Sequence, residues 1–219
     1  MKRISKMKLI KTPLVTLLLV ASSLLLMGAK NKDDEGLKIG SKMPQPTKKM
    51  MGADGSEYSL AELMGENGLV VIFSCNTCPF VVGSDNFEGW EKQYNDLHQK
   101  AKTAKMGLVL VNSNEAKRAG DDSLEAMKSH SELAGYTMPY VVDKDAKLAD
   151  AMGAKTTPHV FVYSGSTKLI YKGSIDNSWD TKKEKLETFL IDAMNAVSEG
   201  KEITNNSTTP RGCSIKRTK

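Results

Sequence analysis

Short apolar runs separated by polar turns recur along most of the chain. The runs are rich in β-branched residues, which is typical of buried strands. They predict strands at residues 69–73, 108–111, 140–142, 160–163 and 169–171. The last two runs flank a turn at Gly165 and therefore predict a β-hairpin.

Between these runs, apolar residues recur at intervals of three and four, the spacing of one helix face. One such stripe follows the first strand and consists of Phe87, Trp90, Tyr94 and Leu97. Further helices are predicted over residues 123–134, 146–152 and 181–197. The apolar residues of the last helix are Leu186, Phe189, Leu190, Ala193 and Val197.

The region before the first strand has weaker signals. Met50 and Met51, the turn signal Asp54-Gly55 and then Tyr58 predict a small hairpin. Ser59 and Glu62 match a capping box, which predicts a short helix ending near Met64. Alternating strands and helices with a final hairpin predict one α/β domain, a mixed central β-sheet flanked by helices.

The segment Cys75-Asn76-Thr77-Cys78-Pro79 follows the first predicted strand directly. Two cysteines this close can form a disulfide only if the backbone curls, as it does where a helix begins. The amide groups of a helix N-terminus lower the pKa of nearby thiols, and the thiolate is the reactive species. Position and chemistry together predict a redox-active pair.

Two other interpretations of the pair remain open. A zinc site needs four ligands, and the chain offers only Cys213, His98, His130 and His159 besides the pair, without a second closely spaced pair. A structural disulfide here would close almost no loop and would stabilise the fold little. Redox chemistry is the favoured interpretation.

The N-terminal residues resemble an export signal in their pattern. Residues 1–29 have a basic start, an apolar stretch over residues 14–27 and the small residues Gly28 and Ala29. This pattern predicts a secretory signal peptide, with a periplasmic or secreted protein after cleavage. Met27 stands where a small residue is preferred, so an uncleaved membrane anchor is the less favoured alternative.

The net charge of +5 comes from that segment, since 31 basic residues face 26 acidic ones and five of the basic residues lie within residues 1–29. Residues 30–219 are therefore formally neutral, which argues against a nucleic-acid partner. We expect a charged, disordered lead-in at residues 30–36, a single domain over residues 37–200, and a polar, basic tail at residues 201–219 that contains Cys213. No cofactor is expected.

A series of short motifs, in order along the chain, resembles the redoxin, or peroxiredoxin-like, branch of the thioredoxin-like proteins. The motifs are Leu37-Lys38-Ile39-Gly40-Ser41, Asp54-Gly55, Ser59-Leu60, residues 75–80, Val111-Asn112-Ser113-Asn114, Met138-Pro139-Tyr140, Gly153-Ala154, Thr157-Pro158 and Gly212-Cys213-Ser214-Ile215-Lys216. The resemblance implies a thioredoxin-like fold. It also implies a cis bond between Thr157 and Pro158 beside the redox pair, with Cys75 as the attacking thiol and Cys78 as the resolving thiol.

The chain departs from both larger groups of that superfamily. Peroxiredoxins carry a proline and a hydroxyl residue at set distances before the peroxidatic cysteine, where Gly68 and Ile72 stand before Cys75 and Val71 and Cys75 stand before Cys78. They also place an arginine nearby, for which only Arg118, Arg211 and Arg217 follow residue 29. Thioredoxin-type reductases have a tryptophan before the first cysteine, where this chain has Ser74, and a buried acid in the preceding strand, which is entirely apolar here.

Two further residues bear on the chemistry. His159 follows Pro158 and either approaches the thiols, as a base or as a copper(I) ligand with Cys75 and Cys78, or starts a strand and points elsewhere. Cys213 either folds back to exchange with the pair or remains a tail thiol without a partner.

Three functions are therefore predicted, in order of preference. The first is an exported thiol-disulfide oxidoreductase that acts on a disulfide-containing protein or small thiol, with electrons from a membrane-linked donor. The second is a peroxiredoxin-like thiol peroxidase. The third is a thioredoxin-like protein that binds copper(I) or another soft metal.

Overall fold

A five-stranded mixed sheet forms the centre of the protein. The computed structural model describes residue 1 and residues 36–218. The strands are β3 (Gly68–Ser74), β4 (Met106–Asn112), β5 (Tyr140–Val142), β7 (His159–Ser164) and β8 (Leu169–Gly173). Their order in the sheet is β5-β4-β3-β7-β8, in which β4 and β5 run parallel to β3, β7 runs antiparallel to β3, and β8 runs antiparallel to β7. All five predicted strands are confirmed.

The central strand β3 is buried on both faces because its side chains alternate between two cores. Val70 and Ile72 point into the first core, which also contains Trp90, Tyr94 and both cysteines of the predicted pair. Leu69, Val71 and Phe73 point into the second core, which also contains Val109, Phe161 and Tyr163. The uninterrupted apolar run of the sequence is explained by this double burial.

Helices cover the sheet. They are α1 (Pro79–Val82), α2 (Tyr94–Thr103), α3 (Leu124–Leu133), α4 (Lys147–Met152) and α5 (Phe189–Ser198), together with 3-10 turns at Trp90–Gln93, Glu115–Lys117 and Lys144–Ala146. Ser123 caps α3 by accepting a hydrogen bond from the amide of Ala126. Gly135 follows α3 with φ +63°, as the predicted helix end requires.

Three predicted helices differ from the observed ones. The Ser59–Glu62 capping contacts form, but the following residues make only a turn. Phe87 lies in a bridge to Ser84 and not in a helix, because positive-φ glycines at residues 83 and 89 break the chain on either side of it. The last helix begins at Phe189 and not at residue 181, because the 185–187 segment hydrogen-bonds to Asn177 instead.

Two small sheets complete the domain. Strands β1 (Met50–Met51) and β2 (Glu57–Tyr58) form the predicted N-terminal hairpin. Strands β6 (Thr156–Thr157) and β9 (Cys213–Ser214) pair antiparallel, so the predicted polar tail packs on the domain.

The predicted signal peptide and lead-in, apart from Met1 and Gly36, lie outside the described residues. Across the described residues, no helix combines the length and apolar character needed to span a bilayer.

Candidate active site

The two cysteines lie where β3 ends and α1 begins. Cys78 is the N-cap residue of α1, and Pro79 takes the first helical position, where its missing N–H is harmless. Both cysteines are free thiols and both are buried, with 1% of Cys75 and 4% of Cys78 exposed. The chain thus forms the predicted strand-to-helix turn around the pair.

Thr157 faces both sulfur atoms. Its Oγ1 lies 3.2 Å from Cys75 Sγ, and its carbonyl oxygen accepts a hydrogen bond of 3.1 Å from the Cys78 thiol. The bond between Thr157 and Pro158 is cis, as the resemblance to redoxins implies. One threonine therefore touches both members of the pair.

Cys213 reaches the pair from the C-terminal tail. In the pairing of β6 with β9 its Cα stands opposite Thr157, the residue that contacts both sulfurs. Its thiol is in hydrogen-bonding contact with Cys78, and its side chain packs against the first core. The tail therefore places a third sulfur beside the redox pair.

The thiols of the pair share a hydrogen bond that separates their proton affinities. The Cys75 thiol donates to the Cys78 sulfur, which lowers the pKa of Cys78 and raises the pKa of Cys75. Burial raises the pKa of Cys75 further, since the charged form loses its hydration. In the reduced pair the negative charge is therefore favoured on Cys78. Once ionised, Cys78 no longer donates a hydrogen bond to the Thr157 carbonyl.

A buried polar network holds the loop through Asn76. Asp122 is fully buried and accepts hydrogen bonds from the Asn76 amide at 3.0 Å, from Asn112 Nδ2 at 2.7 Å and from Asn114 Nδ2 at 3.0 Å. The Tyr140 hydroxyl donates to Asn76 Oδ1 at 2.9 Å. These contacts fix Asn76, one of the two residues between the cysteines.

Sequence reasoning missed this network. The polar turn Asn112-Ser113-Asn114 after a buried strand was a usable signal, since polar residues rarely follow a buried strand without a partner. Asp122 carried no signal, because a lone acid in a polar segment is ordinarily solvated.

His159 points away from the thiols. It is the first residue of β7 and is paired with Phe73, and its ring packs 4.5 Å from the ring of Phe161 in the second core. Its Nδ1 accepts a hydrogen bond from the Lys155 amide, and burial lowers its pKa to about 3. The structure therefore does not bring His159 to the thiols, in line with the alternative in which it starts a strand and points elsewhere.

The predicted copper(I) site of Cys75, Cys78 and His159 does not form either. Among the described residues, no three His, Cys, Asp or Glu side chains are grouped so that they could hold a metal ion. The site is therefore one of thiols, a hydroxyl and backbone.

The three arginines of residues 36–218 have partners other than the cysteines. Arg118 donates to the backbone oxygens of Asp122 and Asn112, and Arg217 donates to Asp150 and to the carbonyl of Ala154. The guanidinium of Arg211 lies 4.9 Å from the ring centre of Trp179 and 5.6 Å from that of Phe80. None of these contacts is to a thiol.

The chain is similar to two crystal structures of proteins without an assigned activity. An uncharacterized conserved protein from Geobacillus kaustophilus is 27% identical, with a TM-score of 0.73 over 83% of this chain and 93% of that one. A hypothetical protein from Sinorhizobium meliloti is also 27% identical, with a TM-score of 0.73 over 83% of this chain and 96% of that one. No curated protein matches the chain.

Similarity to more distant structures extends to the fold. A peroxidoxin from Mycobacterium tuberculosis is 14% identical, with a TM-score of 0.53 over 75% of this chain and 97% of that one. The redoxin family profile matches residues 38–190 of this chain. The protein has a thioredoxin-like fold and belongs to the redoxin family, a group of thiol-based oxidoreductases and peroxidases.

Proposed function

We propose that the protein is an exported thiol-disulfide oxidoreductase with Cys75 and Cys78 as its redox pair. The observation that carries the proposal is the contact of both sulfurs with Thr157, next to the cis bond and at the start of α1. This arrangement brings two thiols together beside the cis bond, with one threonine in contact with both sulfurs.

The reaction needs two attacks on sulfur. The Cys75 sulfur attacks the substrate disulfide, and the Cys78 thiolate takes the proton that Cys75 gives up through the hydrogen bond between them. One substrate sulfur leaves as a thiolate and takes a proton. Cys78 then loses its proton and attacks the Cys75 sulfur, which forms the Cys75–Cys78 disulfide and releases the second substrate thiol.

Export is supported by the pattern of residues 1–29 and suits a protein that works on disulfides. The substrate would be a disulfide-containing protein or a small thiol compound. Continued reduction outside the cytoplasm needs electrons carried across the membrane, so a membrane-linked dithiol donor is the expected partner.

The test is the reduction of insulin by dithiothreitol with and without the protein comprising residues 30–219. We expect acceleration that is lost in Cys75→Ser and retained in Ser166→Ala, a control at an exposed serine of the β7–β8 turn. Cys78→Ser should accumulate a mixed disulfide with the substrate on Cys75. Equal acceleration by Cys75→Ser would refute the proposal.

Peroxide reduction is the second candidate because the family contains thiol peroxidases. The positions of Arg118 and Arg211 weigh against it, since neither guanidinium contacts a thiol. We expect little consumption of hydrogen peroxide by the reduced protein. Rapid consumption that requires Cys75, without insulin reduction, would replace the first proposal by this one.

A further inference from the structure

Hydrogen bonds to several parts of the domain fix the segment that carries Cys213. The Ile215 amide donates to Lys155 O at 3.0 Å, and the Lys216 carbonyl accepts from the Ala116 amide at 2.8 Å. The Lys216 amide donates to Asn114 Oδ1 at 2.8 Å, and the Ile215 side chain is only 5% exposed. These contacts fix the register of the tail, so the position of Cys213 is built into the fold.

Gly212 allows the tail to approach the active site closely. A Cβ atom at this position would lie 2.3 Å from Thr157 O and 3.1 Å from Pro158 N, which is too close for any other residue. The backbone of the tail therefore touches the same threonine that contacts Cys75 and Cys78. The next residue, Cys213, then reaches the Cys78 sulfur.

The three thiols differ in their access to solvent. Cys75 and Cys78 are buried, whereas Cys213 is half-buried. Both sulfurs of a Cys75–Cys78 disulfide would therefore lie deeper in the protein than the sulfur of Cys213. A disulfide that includes Cys213 would present one sulfur nearer to the surface.

The charge state of Cys213 depends on its neighbour. Burial raises the pKa of Cys213 to about 11, and the hydrogen bond to Cys78 and the negative charge there add to the rise. The contribution of Cys78 disappears once Cys78 belongs to a disulfide, because a disulfide sulfur has no charge. Lys216, which favours the thiolate, remains. Oxidation of the pair therefore favours attack by Cys213.

We propose that Cys213 is a third redox residue, which carries the disulfide from the buried pair to the tail. Building on the proposed function, the step begins with the Cys75–Cys78 disulfide. The Cys213 thiol loses its proton, and its sulfur bonds to Cys78 Sγ as the bond between Cys78 and Cys75 breaks. The electron pair remains on Cys75, which takes a proton, so no net oxidation or reduction occurs in this exchange.

The dithiol donor then reduces the Cys78–Cys213 disulfide. One donor thiolate attacks the Cys213 sulfur and releases Cys78 as a thiolate. The second donor thiol attacks the resulting mixed disulfide, releases Cys213 and leaves the donor oxidised. All three cysteines are then reduced, and two electrons have passed from donor to protein.

The test maps disulfides and is independent of insulin reduction. Reduced Cys75→Ser is oxidised with diamide, the remaining free thiols are alkylated under denaturing conditions, and peptides are analysed by mass spectrometry. We expect a monomer in which Cys78 and Cys213 are linked and neither is alkylated. A Cys213 that stays alkylatable, or a disulfide between two chains, would overturn the proposal.

A matched control moves the third thiol by one residue. The triple variant Cys75→Ser, Cys213→Ser, Ser214→Cys keeps two cysteines, but neighbouring residues of a strand point to opposite faces. We expect its linked fraction to fall at least severalfold below that of Cys75→Ser. Equal linkage in both variants would mean that a flexible tail and not the observed contact makes the bond, which would also overturn the proposal.

Wild-type protein provides the second measurement, should Cys75→Ser not fold. Partial oxidation with oxidised dithiothreitol is expected to give both Cys75–Cys78 and Cys78–Cys213 peptides, and the complete absence of the latter would refute the exchange. Loss of insulin reduction with the Cys78–Cys213 link still present would instead remove the proposed function and leave the three-thiol exchange standing.

Discussion

Two sets of contacts of different strength hold the loop from Cys75 to Cys78. We call the contacts of Asn76 its amide side and the contacts of the two sulfur atoms its sulfur side. On the amide side, Asn76 is bound through its backbone and its side chain to Asp122, Asp121 and Tyr140. On the sulfur side, Cys75 and Cys78 contact each other and Thr157, and Cys78 also contacts Cys213, through bonds that involve sulfur. Sulfur is a weak hydrogen-bonding partner, so the sulfur side is held less strongly.

This difference matches the chemistry proposed for the pair. In each exchange step the bonds to sulfur break and re-form with a new partner, and contacts on that side must change as well. Asn76, between the two cysteines, has to keep its place meanwhile, so that each sulfur stays within reach of the next. A firmly bonded amide side and a loosely bonded sulfur side meet both needs.

The largest expected effect is loss of the amide side through Asp122→Ala. The substitution leaves the donors of Asn76, Asn112 and Asn114 buried without their acceptor. Unpaired buried donors cost about 1–3 kcal/mol each, so we expect the free energy of unfolding to fall by roughly 3 kcal/mol or more. Urea denaturation of the reduced protein measures this change.

Asp121→Ala is the matched control for that experiment. Asp121 is an exposed neighbour whose carboxylate pairs with Lys117 at 3.1 Å. Exposed ion pairs contribute about 0–1 kcal/mol, so the control should unfold almost like the wild type. Similar stabilities for the two variants would mean that the buried carboxylate does not support the loop.

The second prediction concerns the tail on the sulfur side. Gly212→Ala places a methyl group against Thr157 O, and the tail must shift. Such overpacking costs about 1–3 kcal/mol, and we expect the alkylation rate of Cys213 in the reduced protein to rise severalfold as its contact with Cys78 is lost.

Gly120→Ala is the control, since no atom lies within 4 Å of the Cβ position there. It should leave the alkylation rate of Cys213 unchanged. An unchanged alkylation rate in Gly212→Ala as well would mean that contact with Cys78 does not protect Cys213.

The third prediction weakens the sulfur side without moving the backbone. Thr157→Val removes the hydroxyl that lies 3.2 Å from Cys75 Sγ and that favours ionisation of this thiol. The pKa of Cys75 should rise further. A hydrogen bond is worth about 1 kcal/mol, so exchange with a small aromatic disulfide should slow about fivefold.

Thr156→Val provides the comparison, because the Thr156 hydroxyl donates to Pro158 O and not to a sulfur. We expect its exchange rate to stay near that of the wild type. Equal slowing by the two variants would show that the backbone around the cis bond, and not the contact with sulfur, is responsible.

The unequal support of the loop also explains which parts of the site could be predicted from the sequence. The cysteines, the first strand and Pro79 are neighbours in sequence, so periodicity and spacing were enough to place them. Asp122 and Tyr140 come from distant parts of the chain, and their partners become apparent only when β4 and β5 lie beside β3. Local patterns carry no such information.

The errors in the fold have the same origin. The helical stripe that includes Phe87 was correct about burial but wrong about the helix, because glycines at residues 83 and 89 take positive φ values that a stripe does not reveal. The tail was interpreted from its charge, whereas its position is set by backbone bonds to Lys155 and Ala116.

The smallest expected effect on exchange comes from His159→Gln. The imidazole packs against Phe161 in the second core, on the other face of the sheet from the cysteines. Replacing it should leave the rate of insulin reduction within about twofold of the wild-type rate, a difference below the value of one hydrogen bond. A loss of exchange activity without unfolding would restore His159 as a base.

The same variant should change the response to acid. Burial lowers the pKa of His159 in the folded protein to about 3, from an ordinary value of 6.5. Between these values the unfolded chain binds a proton that the folded chain does not, so stability falls as the pH drops below 6.5. From pH 6.5 to pH 4.5 this effect amounts to about 2–3 kcal/mol. His159→Gln lacks the titrating group, so urea denaturation should show a flatter dependence of its stability on pH. Parallel curves for variant and wild type would mean that the folded protein protonates His159 readily, which a ring enclosed in the second core should not allow.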